Sequence, residues 1–121
     1  MKNPSILIVE DDGIIALSLM ELLQRSGFDV PDMVASGEQA IETVKSSPPD
    51  LVLMDIRLAG KIDGIETARQ IRTDFGIPVI FITAHSETDL QATAEKISPY
   101  GFFVKPFFER EVLSAIRKAL S

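Results

Sequence analysis

The chain has 121 residues, 45% of them hydrophobic, enough for one domain with a real core and too few for two. Twelve Lys and Arg against eighteen Asp and Glu give a net charge of −6 and a pI near 4.7, which argues against a domain that grips nucleic acid or an anionic membrane by itself. Cysteine is absent, so disulfide frameworks and thiolate metal sites are excluded, a composition that fits a reducing cytoplasm.

The opening MKNPSILIVEDD contains an apolar run too short for a signal-peptide core or a membrane span, and acids close it at once. The chain therefore reads as soluble and cytoplasmic. ILIV at 6–9 has the unbroken apolar character of a strand covered on both faces. Ile15, Leu19, Leu22 and Leu23 follow at i, i+4, i+7 and i+8, the buried stripe of a helix that Gly27 should stop. A weaker strand over 29–34 carries Pro31, which has no N–H for a ladder and so belongs at a sheet edge. Ser36 with Gln39 three residues on reads as a capping box for a helix carrying Ala40, Ile41 and Val44. LVLM at 51–54 is the third strand, and Ile65, Ala68 and Ile71 mark a helix ending before Gly76. VIFI at 79–82 precedes a helix with Leu90, Ala94 and Ile97 on one face, ending before Gly101. FFV at 102–104 precedes the last helix, with Leu113, Ile116 and Leu120 on one face, ending near Leu120. Strand followed by helix five times over, with no repeat or linker, predicts one α/β domain over 1–121 with a parallel sheet and helices on both sides.

In an open parallel sheet, ligands bind where the loops after the carboxyl ends of the strands gather. Those positions hold Glu10, Asp11 and Asp12 after the first strand, Asp55 after the third, Thr83, Ala84 and His85 after the fourth, and Lys105 followed by Pro106 after the fifth. Carboxylates at ~4 Å repel by roughly 1 to 4 kcal/mol a pair, so something cationic must offset them. Lys105 is one such group, but a single amine cannot balance them all. An all-oxygen site without Cys or a His pair selects a hard divalent ion, and Mg²⁺ is the expectation. Because Mg²⁺ keeps positions for water and substrate phosphate, a carboxylate, a metal and an amine together suit phosphoryl transfer onto the carboxylate, with Asp55 as nucleophile.

VEDD at 9–12, MDIR at 54–57, ITA at 82–84 and VKPF at 104–107 resemble, in order and spacing, the receiver domain of two-component response regulators. The resemblance spans essentially the whole chain. It implies a flavodoxin-like (βα)₅ fold with a five-stranded parallel sheet in the order 2-1-3-4-5. It also implies a signalling phosphoacceptor of a phosphorelay, with only self-catalysed phosphoryl transfer and dephosphorylation, and not an enzyme. By that likeness Asp55 takes phosphate from a sensor histidine kinase or a histidine phosphotransfer protein. Asp11 and Asp55 ligate Mg²⁺ directly, Glu10 acts through water, and the main-chain carbonyl of Arg57 completes the protein ligands. Thr83 and Lys105 hold the phosphoryl oxygens, Thr83 and Phe102 form the switch, and the Lys105–Pro106 bond is cis. The output implied is a surface change around 86–108 read by a downstream effector domain or protein, with the fourth helix, fifth strand and fifth helix also serving as a homodimer face. Both a stand-alone receiver and a part of a longer regulator or hybrid kinase fit the pattern.

Two departures from the family pattern stand out. LAGKIDG at 58–64 is longer than the loop of many members, which carry proline near Ala59, so a looser loop beside the metal is expected. Phe102 replaces the commoner tyrosine, leaving a switch that runs on ring packing without a phenolic hydroxyl. Read singly, Asp12 is a helix N-terminal acid and stays off the ligand set, His85 is a surface residue, and Met20, Met33 and Met54 are core filler. Phe103, Phe107 and Phe108 are packing residues or exposed contact surface. The alternative of a haloacid-dehalogenase-like Mg-dependent phosphatase wants a second acid two residues after the first, where this chain has Arg57. A flavodoxin-like binder of a phosphate-bearing cofactor should offer Gly, Ser or Thr donors after the first strand, and Glu10, Asp11 and Asp12 would repel its phosphate. A pure interaction module leaves the acids unexplained.

Overall fold

Both faces of the three central strands must be covered for such apolar runs to be stable, and the architecture supplies that cover. The computed structural model describes residues 3–84 and 88–121; His85 lies outside them. In chain order the elements are β1 (Ile6–Val9), α1 (Gly13–Arg25), β2 (Met33–Val34), α2 (Gly37–Ser46), β3 (Leu51–Met54), α3 (Gly64–Phe75), β4 (Val79–Thr83), α4 (Thr88–Ile97), β5 (Phe102–Val104) and α5 (Glu109–Leu120). They build one parallel sheet in the order β2-β1-β3-β4-β5. Every residue of β1, β3 and β4 is buried. Alternate side chains of these strands point to opposite sides. Leu7, Val9, Val52, Met54, Val79 and Phe81 pack with Ala40 and Val44 of α2, Ala68 and Ile71 of α3 and Ala94 of α4. Ile6, Ile8, Leu51, Leu53, Ile80 and Ile82 pack with Ala16, Leu19 and Leu23 of α1 and Val112 and Ile116 of α5. The flavodoxin-like (βα)₅ expectation, with its strand order, is what the structure shows.

Local chemistry fixes the helix ends. Asp12 caps α1, accepting from the Ile14 and Ile15 N–H groups, which is the role its position suggested. Ser36 accepts from Gln39 N–H, and the Gln39 side chain reaches back to Ala35 N–H rather than to that of Ser36 itself. Asp63 caps α3 through Glu66 N–H at 2.9 Å. Gly76 ends α3 in the left-handed region at φ 68°, and Gly27 follows α1 at φ 93°.

Four expectations need correcting. The strand expected over 29–34 shrinks to Met33–Val34, because Pro31 interrupts the ladder; β1 still takes carbonyls from this segment through Ile6 N–H to Asp29 at 2.8 Å and Glu10 N–H to Val34 at 2.9 Å. Gly101 does not stop α4, which ends at Ile97; a Cβ on Gly101 would sit 2.9 Å from the Phe103 ring, so close packing is its reason. The buried face of α5 centres on Val112 and Ile116, with Leu113 and Leu120 at its margin. Met33 is 38% exposed on the edge strand and fills no core, unlike Met54.

Candidate functional site

The register of the sheet delivers the polar residues to one edge. Val9 pairs with Met54, Met54 with Phe81 and Thr83 with Val104. Glu10, Asp55 and Lys105 therefore each stand one residue beyond their strands, and Thr83 is the last residue of β4. Main-chain bonds extend the ladder through these positions, Asp55 N–H donating to the Val9 carbonyl at 2.9 Å and Lys105 N–H to the Thr83 carbonyl at 2.7 Å. The apolar run that ends on Asp55 is thus a buried strand whose last ladder position carries the charge to the carboxyl end of the sheet, with Asp55 itself 8% exposed.

Carboxylate oxygens of Glu10, Asp11 and Asp55 lie within 4.8 Å of one another. Lys105 Nζ donates to Glu10 Oε1 at 2.5 Å and to Asp55 Oδ2 at 3.2 Å. The second oxygens are engaged as well: Asp12 N–H donates to Glu10 Oε2 at 3.2 Å and Arg57 N–H to Asp55 Oδ1 at 3.4 Å. Burial, together with the adjacent Asp55, pushes the Glu10 carboxyl up to about 7 against the opposing pull of Lys105. Burial lowers Lys105, yet the Glu10 hydrogen bond and the Asp55 charge outweigh it and hold the ammonium above its usual range. The raised Glu10 carboxyl marks a buried site with more negative charge than one amine neutralises.

The structure brings Glu10, Asp11, Asp55 and Lys105 together and sets Thr83, wholly buried, and the Arg57 main chain on the adjoining strand ends. Phe102 is half-buried opposite Phe81 on β4, the ring centroids 6.3 Å apart and tilted at 44°. The Lys105–Pro106 peptide is cis. Two features carry no mark in the runs and periods that located the strands. A Cβ on Gly64 would overlap the Asp55 carbonyl oxygen, so the first residue of α3 must be glycine for the helix to seat against the end of β3. The Asp63 cap with Glu66 three residues on is the sequence signal that could have placed the helix start there. The loop between Arg57 and Gly64 is also held, contrary to the looser loop expected: Ala59 bridges Ser36, and Lys61 N–H donates to Glu38 Oε2 at 2.9 Å.

A family model described as the response regulator receiver domain matches residues 6–117. The chain belongs to the response regulator receiver family. Among curated relatives it is 33% identical over 116 residues to the transcriptional regulatory protein PdtaR of Mycobacterium tuberculosis, covering 96% of this chain and 56% of that protein. It is 34% identical over 115 residues to the DNA-binding response regulator MtrA of Mycobacterium leprae, covering 95% of this chain and 50% of that one. The receiver thus spans about half the length of these relatives. Among solved structures, the receiver domain of the PhyR response regulator from Erythrobacter litoralis superposes with a TM-score of 0.86 at 37% identity, covering 99% of this chain and 92% of that one. The signal receiver domain of a modulated diguanylate cyclase from Desulfovibrio desulfuricans G20 gives 0.90 at 33%, covering 98% and 94%.

An apolar groove of about 450 Å³ borders the receiver's acid cluster, lined by Ile14, Ile15, Ser18, Leu19, Pro106 and Phe107 together with Lys105. Ile14 is 82% exposed on its rim, and Leu17 and Phe108 are exposed nearby in sequence. A larger cleft of about 1000 Å³ lies at the opposite end of the sheet around Ser5, Asp29 and Asp50, away from the acids. Among the described residues no helix is long and apolar enough to cross a membrane.

Proposed function

We propose that this receiver accepts a phosphoryl group on Asp55 from a phosphohistidine of a sensor histidine kinase or phosphotransfer protein, and that the modified site switches a protein-interaction surface. The observation that carries this reading is the convergence of Glu10, Asp11 and Asp55 on one amine, Lys105, at the carboxyl edge of the sheet. In the transfer, the P–N bond of the donor histidine breaks and a P–O bond forms to an Asp55 carboxylate oxygen, giving an acyl phosphate. Lys105 already holds Asp55 and is placed to neutralise a phosphoryl oxygen added there, and Thr83 lies on the neighbouring strand to receive another.

The donor set fits Mg²⁺. Three carboxylates with no sulfur or imidazole among the described site residues form a hard all-oxygen site, and the raised Glu10 marks an uncompensated negative charge. Asp11 and Asp55 would hold the ion with the Arg57 carbonyl, and Glu10 through water. When bound, it supplies charge neutralisation for the transferring group. The haloacid-dehalogenase-like alternative has nothing to favour it, since Arg57 is still the residue two beyond Asp55.

The apolar groove beside Lys105 suits a partner that presents its histidine to the site, which supports a protein donor. The switch would couple Thr83 to Phe102, whose half-buried ring has only packing to anchor it, and through it to α4, β5 and α5, the face for an effector or a second copy. We read the chain as a cytoplasmic receiver unit over 1–121, without direct nucleic-acid or membrane binding of its own. The test is incubation with a phosphohistidine donor and Mg²⁺. The wild-type chain should take up acid-stable, base-labile phosphate and Asp55→Asn none; a labelled Asp55→Asn protein would refute the acceptor assignment.

A further inference from the structure

The loop that carries the acceptor's neighbours is closed at its base and clasped at its tip. At the base, Gly64 N–H donates to the Ile56 carbonyl at 2.7 Å, and Gly64 sits against the Asp55 carbonyl with no room for a side chain. Residues 57–63 therefore leave and return to the same point, a short Ω-like excursion whose geometry the base alone does not fix. At the tip, Ala59 bridges Ser36 in parallel, and Glu38 in the first turn of α2 accepts Lys61 N–H at 2.9 Å. Gly60 makes the clasp possible twice over. Its φ of 96° is open mainly to glycine, and a Cβ would stand 2.5 Å from Glu38 Oε1. The Glu38 carboxyl is held below the usual range chiefly by the Lys61 N–H that donates to it. Gly37 completes the seat, because a Cβ there would overlap Thr67 Oγ1 and lie 2.8 Å from Ile62.

We propose that Glu38 is a positioning residue for phosphoryl acceptance: by clasping 60–62 to α2 it fixes the path of the 57–63 loop, and with it the Arg57 main chain that donates to Asp55. The proposal rests on the acceptor reading above. Ordering a free loop costs backbone entropy, so a loop already held by α2 reaches the productive arrangement with less to lose. An acid in the first turn of a helix also favours the helix dipole, and a role confined to that would act on stability alone.

The experiment compares wild type, Glu38→Ala and Glu38→Gln, labelled on Asp55 with a small-molecule phosphodonor across a Mg²⁺ titration, together with apo melting temperatures and the Lys61 amide resonance. Expected for Glu38→Ala are a Mg²⁺ midpoint raised about threefold to tenfold, an apo melting temperature close to wild type and an upfield-shifted Lys61 amide proton. Glu38→Gln keeps an acceptor oxygen while losing the charge, and should restore most of the midpoint. An unchanged midpoint in Glu38→Ala, or a Gln variant as impaired as Ala, overturns the proposal. A wild-type chain that takes no label overturns the acceptor reading and this inference together, so the two failures are told apart.

Discussion

Replacing Glu10 by glutamine should stabilise the apo domain, and only above the pH at which Glu10 ionises. The side chain is buried, and its carboxyl rises from a usual 4.5 to about 7 through burial and the neighbouring Asp55. A raised folded pKa means that the native state holds its proton more tightly than the unfolded chain does. Its contribution is fully present below about pH 4.5 and is lost as pH climbs through about 7. At roughly 1.4 kcal/mol per tenfold change, the shift corresponds to about 3 kcal/mol of stability surrendered by wild type between those limits. Glutamine is nearly isosteric with the protonated acid and keeps an acceptor for Lys105, so it escapes that loss. Urea denaturation of both proteins from about pH 4.5 to 8.5 isolates the effect, since all other carboxylates are common to the pair. The two stabilities should coincide at the acid end and diverge to about 2–3 kcal/mol in favour of the variant at the alkaline end. Parallel curves, or a variant less stable throughout, would show that Glu10 carries its charge at no cost and that the cluster is not overloaded.

Further outcomes follow from the same geometry. Mg²⁺ should raise the melting temperature of wild type more at about pH 8 than at about pH 6, because Glu10 must give up its proton before the site is fully anionic; a thermal-shift titration at the two pH values checks this. Lys105→Met should cut the rate of phosphoryl uptake from a small-molecule donor by at least tenfold, measured at saturating Mg²⁺, since it removes the cation held 3.2 Å from Asp55. Gly64→Ala should cost roughly 1–3 kcal/mol in denaturation, because the new methyl meets the Asp55 carbonyl oxygen and α3 must move off β3. Gly76→Ala, in open space but at φ 68°, should cost only about 1 kcal/mol in the same assay.

The fold was legible wherever one physical requirement spoke alone. Runs such as ILIV and VIFI suit strands covered on both faces, and Ser36 announces a helix start by capping chemistry. Reading failed where two requirements compete. Pro31 trims β2, while the carbonyls around it still serve β1, and Gly101 answers to the Phe103 ring rather than to a helix end. The site acids and Lys105 were legible because each follows an apolar run, where a charge needs a reason. Glu38 was not, since an exposed acid in a helix's first turn looks ordinary until the distant loop at 60–62 is seen to fold against it. Nor does anything in the sequence mark Ser98, whose buried hydroxyl accepts Val79 N–H at 3.0 Å and donates to the Val79 carbonyl at 2.7 Å, tying the end of α4 to β4.

The most direct test of the central claim is to trap the phosphorylated chain with borohydride, which reduces an acyl phosphate to an alcohol, and to sequence the tryptic peptide ending at Arg57 by mass spectrometry. Conversion of Asp55 to homoserine, dependent on both phosphodonor and Mg²⁺, is the predicted result. Reduction at Glu10 or Asp11 instead, or an unmodified Asp55 in a protein that has taken up phosphate, would contradict it.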